Sequence, residues 1–440
     1  MEKPLAINRV PTEIWLQIFS PILHTWLLPG SGDDILDDIF LFSTGCESYA
    51  EYRRVEGNRR QLQAVCRQWK RIADYFVINL VPTRFENITL ISKQCLKLAE
   101  RIELLRDCDC RQCPSRLSRG LEQPRADEAS ASQPNSDSPL SLECVQVISW
   151  GSHSRVDPLI DAKYIKSAIN LRALEVQAVN LKSITIPDNL THLSILQIKR
   201  DCTPATLTLP RLQFLSLGLL LYGNTKSPWE SFDHWLFPKL ISLCIYGYVE
   251  MGIHHDSLRR FIRNHAHNLK NFVPAYKPLL GIGQVLAPAF DFRLLRQYPR
   301  LKVLGMSMMR LKGLCDTYDP SDTDGSPPPS LSLLLIDDVV QYLSRLTDSP
   351  VVAGQCLSLC APQTAVFNRI VMIHSWQRAI QAWETGNQNS LFNIDEFNYP
   401  RKFFKGLYKT NIVFVDRDGV ELREGDGLKF LERLGLTDFD

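Results

Sequence analysis

The sequence predicts an α+β chain. A short helical module comes first, then an α/β solenoid, then a mixed C-terminal segment. Three observations carry this. Two stretches with helical apolar spacing fall within residues 6–80. A Leu-x-x-Leu-x-Leu pattern recurs through the centre of the chain. Apolar-poor stretches at 114–141 and 316–330 separate the parts.

The first helix is signalled by Pro11-Thr12, because Pro fixes φ and Thr can cap free backbone N–H groups. Ile14 and Ile18, and Trp15 and Phe19, then lie four apart and give a broad apolar face. In the second stretch Leu62, Val65, Cys66, Trp69, Ile72, Ala73 and Phe76 follow helical spacing, with charged residues between them. Two such helices cannot bury both apolar faces against each other alone, so they need a third element or a partner.

These residues resemble the two ends of an F-box. The resemblance covers residues 8–76 and rests on Pro11, Glu13-Ile14, Ile18-Phe19 and the Val65-Cys66-Arg67-x-Trp69 run read on one helix. Family members join the halves by a short connection. Here residues 24–58 look like an insertion, and Asp33–Phe40 within it reads as an acidic amphipathic turn or helix. The resemblance implies a non-catalytic substrate receptor that docks a Skp-type adaptor and, through it, a cullin–RING ubiquitin ligase. The implied adaptor-binding residues are Pro11, Ile14, Trp15, Ile18, Phe19, Leu62, Val65, Cys66, Trp69 and Ile72. The basic cluster from Arg53 to Arg71 suits an acidic partner or simply a solvated helix face.

A helical connector carrying Cys95, Leu98, Ile102 and Leu105 is expected over 81–113. Residues 114–141 hold seven Ser and four Pro without a β-branched or aromatic residue, so they read as a disordered linker. Over 142–315 the pattern has copies starting at Leu142, Leu171, Leu193, Leu212, Leu240, Leu269 and Leu301. Three share a Pro-Arg/Lys lead-in: Pro210-Arg211, Pro238-Lys239 and Pro299-Arg300. This resembles an irregular leucine-rich repeat array. The last two apolar positions of each copy alternate on a short strand, and the first packs the preceding turn. Asp256 is expected to cap a helix with Leu258, Phe261, Ile262 and His265.

Residues 316–330 form an acidic, Pro-rich loop. The segment 331–440 opens with helical spacing at Leu331–Leu346 and Thr364–Thr385. A strand follows at Ile412–Val415, then a turn at Asp416–Gly419, a returning strand at Val420–Leu422 and a last helix from Asp426.

The chain has 440 residues, is 45% apolar and carries a net charge of +2, so no global field points to nucleic acid or membrane. No apolar run is long enough to span a bilayer. Twelve scattered cysteines read as reduced thiols, which places the chain in the cytoplasm or nucleus. No cofactor is expected.

Three motifs point elsewhere. Val413–Val420 resembles the nucleophile motif of haloacid-dehalogenase-type phosphatases, with Asp416 as nucleophile and Asp418 as general acid. The further groups that family needs lie much later than the 21 residues remaining here. Cys108, Cys110 and Cys113, with Cys95 or Cys144, have partial zinc spacing, and loop cysteines are the simpler reading. His254-His255 and His265-x-His267 flank one helix, too far apart to share an ion. The competing function is a leucine-rich scaffold with no ligase role, in which Trp15, Phe19 and Trp69 would pack on the first copies around Leu142.

Overall fold

The structure, a computed structural model, describes residues 10–30, 35–42, 46–83, 97–104, 142–150, 162–177, 185–198, 206–220, 232, 234–248, 255–274, 297–306, 331–335, 367–372, 413–416 and 419–421. The chain divides into two compact units. The first comprises residues 1–196 with 201–204 and 209–212, and the second the remainder.

The first unit opens with helices α1 (Thr12–Leu23), α2 (Ile35–Phe40), α3 (Cys46–Val65) and α4 (Arg67–Ala73). Pro11 is the N-cap of α1, where its carbonyl accepts the Ile14 N–H at 3.1 Å; Thr12 lies inside the helix and caps nothing. Arg54 and Asn58 of α3 donate to the carbonyls of His24 and Ile22, which satisfies the last turn of α1. The second helical stretch is not one helix. α3 ends at Val65, and Cys66 turns to extended backbone (φ −164°, ψ 168°), where its sulfur accepts the Trp69 N–H at 3.4 Å. The Val-Cys-Arg-x-Trp run therefore bridges two helices, with the cysteine acting as a cap.

Five parallel strands follow in chain order: β1 (Leu80–Thr83), β2 (Arg101–Leu104), β3 (Val147–Trp150), β4 (Ala173–Gln177) and β5 (His192–Ile198), with α5 (Ala162–Ser167) before β4. Val81, Ile102, Ile148, Leu174 and Leu193 stand in one register across them. The last four are buried, each worth about 1.5–3 kcal/mol. Before several strands a leucine or valine closes a tight turn: Val145 N–H reaches Leu142 O, Leu171 reaches Ala168 O and Leu190 reaches Pro187 O. These bonds correct the phase of two copies. The pattern in β5 is Leu190/Leu193/Ile195, three residues before the expected start, and in β3 it begins at Val145 instead of Leu142.

In the second unit β7 (Phe214–Leu220), β9 (Ser242–Tyr248), β10 (Asn271–Val273), β11 (Val303–Met306), β12 (Leu331–Leu335), β13 (Phe367–Met372) and β14 (Val413–Val415) are again parallel and sequential. β6 (Leu207–Thr208) pairs with β8 (Trp235–Leu236) apart from them. α6 (His255–His265) precedes β10 and buries Phe261, Ile262 and His265; Asp256 lies in its first turn. Leu215, Leu243, Phe272, Leu304, Leu333, Ile370 and Phe414 share one register. Gly305 is small for a reason: a Cβ there would lie 2.6 Å from a methyl of buried Val273 on the next strand.

Within three spans where spacing predicts helices, part of each is strand instead. In the 81–113 connector β1 and β2 hold residues up to 83 and 101–104, with Ile102 in β2, while Lys97 and Leu98 are helical; its other residues, apart from Ala99 and Glu100, lie outside those described. β12 and β13 take 331–335 and 367–372 of the spans 331–346 and 364–385 where helices were expected; the remainder of both lies outside the described residues. A parallel strand buried on both faces reads as a continuous apolar run, which periodicity alone does not separate from a helix. The 114–141 linker, the 316–330 loop and the helix from Asp426 lie outside the described residues.

Candidate docking surfaces

Helices α1, α3 and α4 build a small core from Phe19, Leu23, Val55 and Ile72, flanked by Trp15, Leu16, Leu62, Trp69, Phe76 and Ile78. Trp69 stands edge-on to Trp15 (4.9 Å) and Phe19 (5.0 Å). Among the described residues the indole N–H groups of Trp15 and Trp69 are buried without an acceptor, so these rings act through packing alone. The next face of α1 is different. Ile14, Ile18 and Ile22, again four apart, are 43%, 43% and 41% exposed, and Val65 at the end of α3 is 55% exposed.

The ten residues expected to bind an adaptor thus divide. Pro11, Ile14, Ile18 and Val65 are at the surface. Trp15, Leu62, Cys66 and Trp69 are half-buried. Phe19 and Ile72 are inside the module's own core. Ile22, outside the ten, continues the Ile14–Ile18 spacing across Pro21 and is as exposed as they are. Tyr75 and Val77, also outside the ten, are exposed too.

The charge on the module is partly internal. Glu56 accepts from Arg59 (2.7 Å) and Arg60 (2.8 Å), and the Arg59 hydrogen bond holds its carboxyl below the usual range. Arg59 also reaches Asp74 at 3.3 Å, and Arg54 pairs with Glu51 at 2.7 Å. Arg53 lies over the Tyr49 ring. Arg67, Lys70 and Arg71 of α4 remain exposed.

The insertion has a definite place. Trp26, Leu27, Ile35, Leu36, Phe40, Leu41 and Phe42 are all buried. Arg101 on β2, itself fully buried, donates through Nη1 to the carbonyls of Leu27 (2.9 Å) and Leu41 (2.7 Å), and through Nε to Glu103 (2.9 Å). Its Nη2 reaches Ser149 on β3. Ser48 donates to the other Glu103 oxygen at 2.8 Å. On β5, His192 Nε2 lies 3.0 Å from Asp38 of α2. The insertion therefore lies on the strand residues that alternate with the leucines, and it buries charged groups there because each finds a partner.

Of the motifs suggesting chemistry, Asp416 and His265 are bonded locally, and Asp418 and His254 lie outside the described residues. Asp416 is buried, its Oδ1 accepts the Val420 N–H at 2.8 Å, and Gly419 takes φ +77° to close the turn. His265 is buried with Nδ1 on the Phe261 carbonyl. Cys108, Cys110 and Cys113 lie outside the described residues, and no metal-holding cluster occurs among those described. No helix among the described residues is long and apolar enough to cross a membrane. No family model matches this chain, and no curated protein matches it significantly.

Proposed function

We propose that this chain is a substrate receptor of a Skp–cullin–F-box type ubiquitin ligase, with a leucine-rich solenoid-like sheet as its target-binding part. The observation that carries the reading is the isoleucine stripe Ile14, Ile18 and Ile22. The face carrying Trp15, Phe19 and Leu23 is satisfied within the module, while the stripe is left in water. Covering each half-exposed isoleucine with a partner is worth about 1 kcal/mol. Exposed Arg67, Lys70 and Arg71 on α4 suit an acidic partner. The scaffold alternative expects Trp15, Phe19 and Trp69 to pack on the strands near Leu142; they pack on Val55 and Ile72 instead, which favours the adaptor reading. The receptor does no bond chemistry. It holds two proteins together, so that transfer between them becomes effectively intramolecular.

A test must avoid the core. Phe19→Asp would unfold the module, whereas Ile14→Asp with Ile18→Asp alters only exposed positions. The double variant is expected to keep its thermal transition and lose Skp-type adaptor in co-purification. Retained adaptor would overturn the proposal.

A further inference from the structure

The starts of the first five strands form an open groove of about 650 Å³ in the first unit. Its lining includes Asn79, Glu100, Gln146, Arg172 and Thr191, each immediately preceding a strand, and Arg211. Their backbones are locked in register: Gln146 N–H reaches Glu100 O, Arg172 N–H reaches Gln146 O, and Thr191 N–H reaches Arg172 O. Further turn residues support the floor. Asn170 and Asn189 spend their side-chain amides on the carbonyls of Glu143 and Ile169 in the preceding turns. The groove is therefore pre-formed and does not need a ligand to shape it.

Its side chains fall into two classes. Thr191 donates to the Arg172 carbonyl, and Glu100 accepts the Asn79 backbone N–H at 3.2 Å. Asn79, Gln146, Arg172 and Arg211 make no side-chain hydrogen bond among the described residues, and all four line the groove. Arg172 and Arg211 are the cations of the lining and Glu100 its carboxyl, whose pKa burial raises. Across four interstrand steps of about 4.8 Å the groove runs roughly 19 Å. An extended segment of about six residues covers that distance.

The geometry points to a docking groove for an extended acidic peptide, with Arg172 and Arg211 pairing its carboxylates and Gln146 and Asn79 bonding its backbone. This deepens the proposed function, on which it rests, by giving the recruited target a chemistry and a place. The strand-start edge is a surface apart from the isoleucine stripe of α1.

The probe is a fluorescein-labelled heptapeptide of alternating Asp and Ser, titrated into the full chain by anisotropy, beside the same peptide with Lys for Asp and an oligouridine of equal length. The acidic peptide is expected to bind at least about tenfold more tightly than the Lys peptide, and Arg172→Glu with Arg211→Glu to remove that preference. Lys239→Glu with Lys302→Glu, on the second unit, should leave it unchanged. In unmodified protein the acidic peptide should also slow alkylation of exposed Cys144 in the groove, followed by mass spectrometry. Equal binding of both peptides, a preference that survives the double arginine change, unprotected Cys144, or tighter oligouridine binding would each overturn the proposal. Adaptor co-purification with the unmodified chain separates the two ideas: no preference for the acidic peptide with adaptor retained overturns the groove alone, and a preference for the acidic peptide without adaptor overturns the receptor reading alone.

Discussion

His265 shows how a single buried titratable group sets a pH limit. Its ring lies 4.9 Å from Phe261 and 5.5 Å from Phe237. A carbonyl only accepts, so Nδ1 must donate to Phe261 O at 3.0 Å. Burial depresses its pKa most, the Phe261 bond opposes that, and nearby His267 adds to the depression. The folded chain therefore binds fewer protons here than the unfolded chain. Stability from this group is fully present above the ordinary histidine range near 6.5 and is lost as pH falls through the lowered folded value. Thermal melts from pH 7.5 to 5 should show a loss in the wild type that His265→Gln reduces; an equal loss in both would refute this. At this scale the sequence is a partial guide. Ile14 and Ile18 were legible because spacing alone places them on one helix face. Arg101 and Glu103 were not, because a charged pair in a short strand reads as exposed, and only residues 24–48 from elsewhere in the chain bury it.

Element α3 is held by side-chain pairs along its length, Glu51–Arg54, Glu56–Arg59 and Glu56–Arg60. Gly57 interrupts this helix with nothing within 4 Å of where a Cβ would be. Gly57→Ala should therefore stabilise the module by about 1 kcal/mol, measured as a higher unfolding midpoint; a lower midpoint would mean that the glycine serves something other than the helix. The end of α3 was not legible. Helical spacing runs unbroken from Leu62 to Phe76, yet the chain breaks at Cys66, where a thiol substitutes for the usual capping oxygen. Strand phase failed for a related reason. Leu190, Leu193 and Leu196 are evenly spaced, so two phases fit locally. The choice is made by the neighbouring strand, through Leu174 opposite Leu193 and the turn bond from Leu190 to Pro187. Copies with a Pro lead-in had no such ambiguity: Leu212, Leu240 and Leu301 each close the turn as expected. β12 and β13 were lost to helix because five or six apolar-rich residues carry no decisive period.

At the scale of the first unit, the order of elements along the chain gives the insertion its meaning. Between α1 and α3, Leu27 and Leu41 are bonded by Arg101 of β2 and Asp38 by His192 of β5, and Ser48 in α3 donates to Glu103 of β2. Removing Arg101 would strand the Glu103 carboxylate and the Leu27 and Leu41 carbonyls without their donor. Arg101→Ala should cost about 3–5 kcal/mol. Hydrogen exchange should accelerate over 24–48 before it does over β4. Unchanged protection of that stretch would show that the apolar contacts of Leu27, Phe40 and Leu41 suffice alone. The same feature has a mechanical consequence. A chain joined once, through a linker, lets its two halves swivel, and whatever each half carries samples many orientations. A chain that crosses over and returns, pinned midway by a saturated arginine, behaves as a jig. On the proposed reading, cargo seated along the strand starts would meet an enzyme held at α1 from one direction only, and the lysines available for modification would be chosen by angle as much as by affinity.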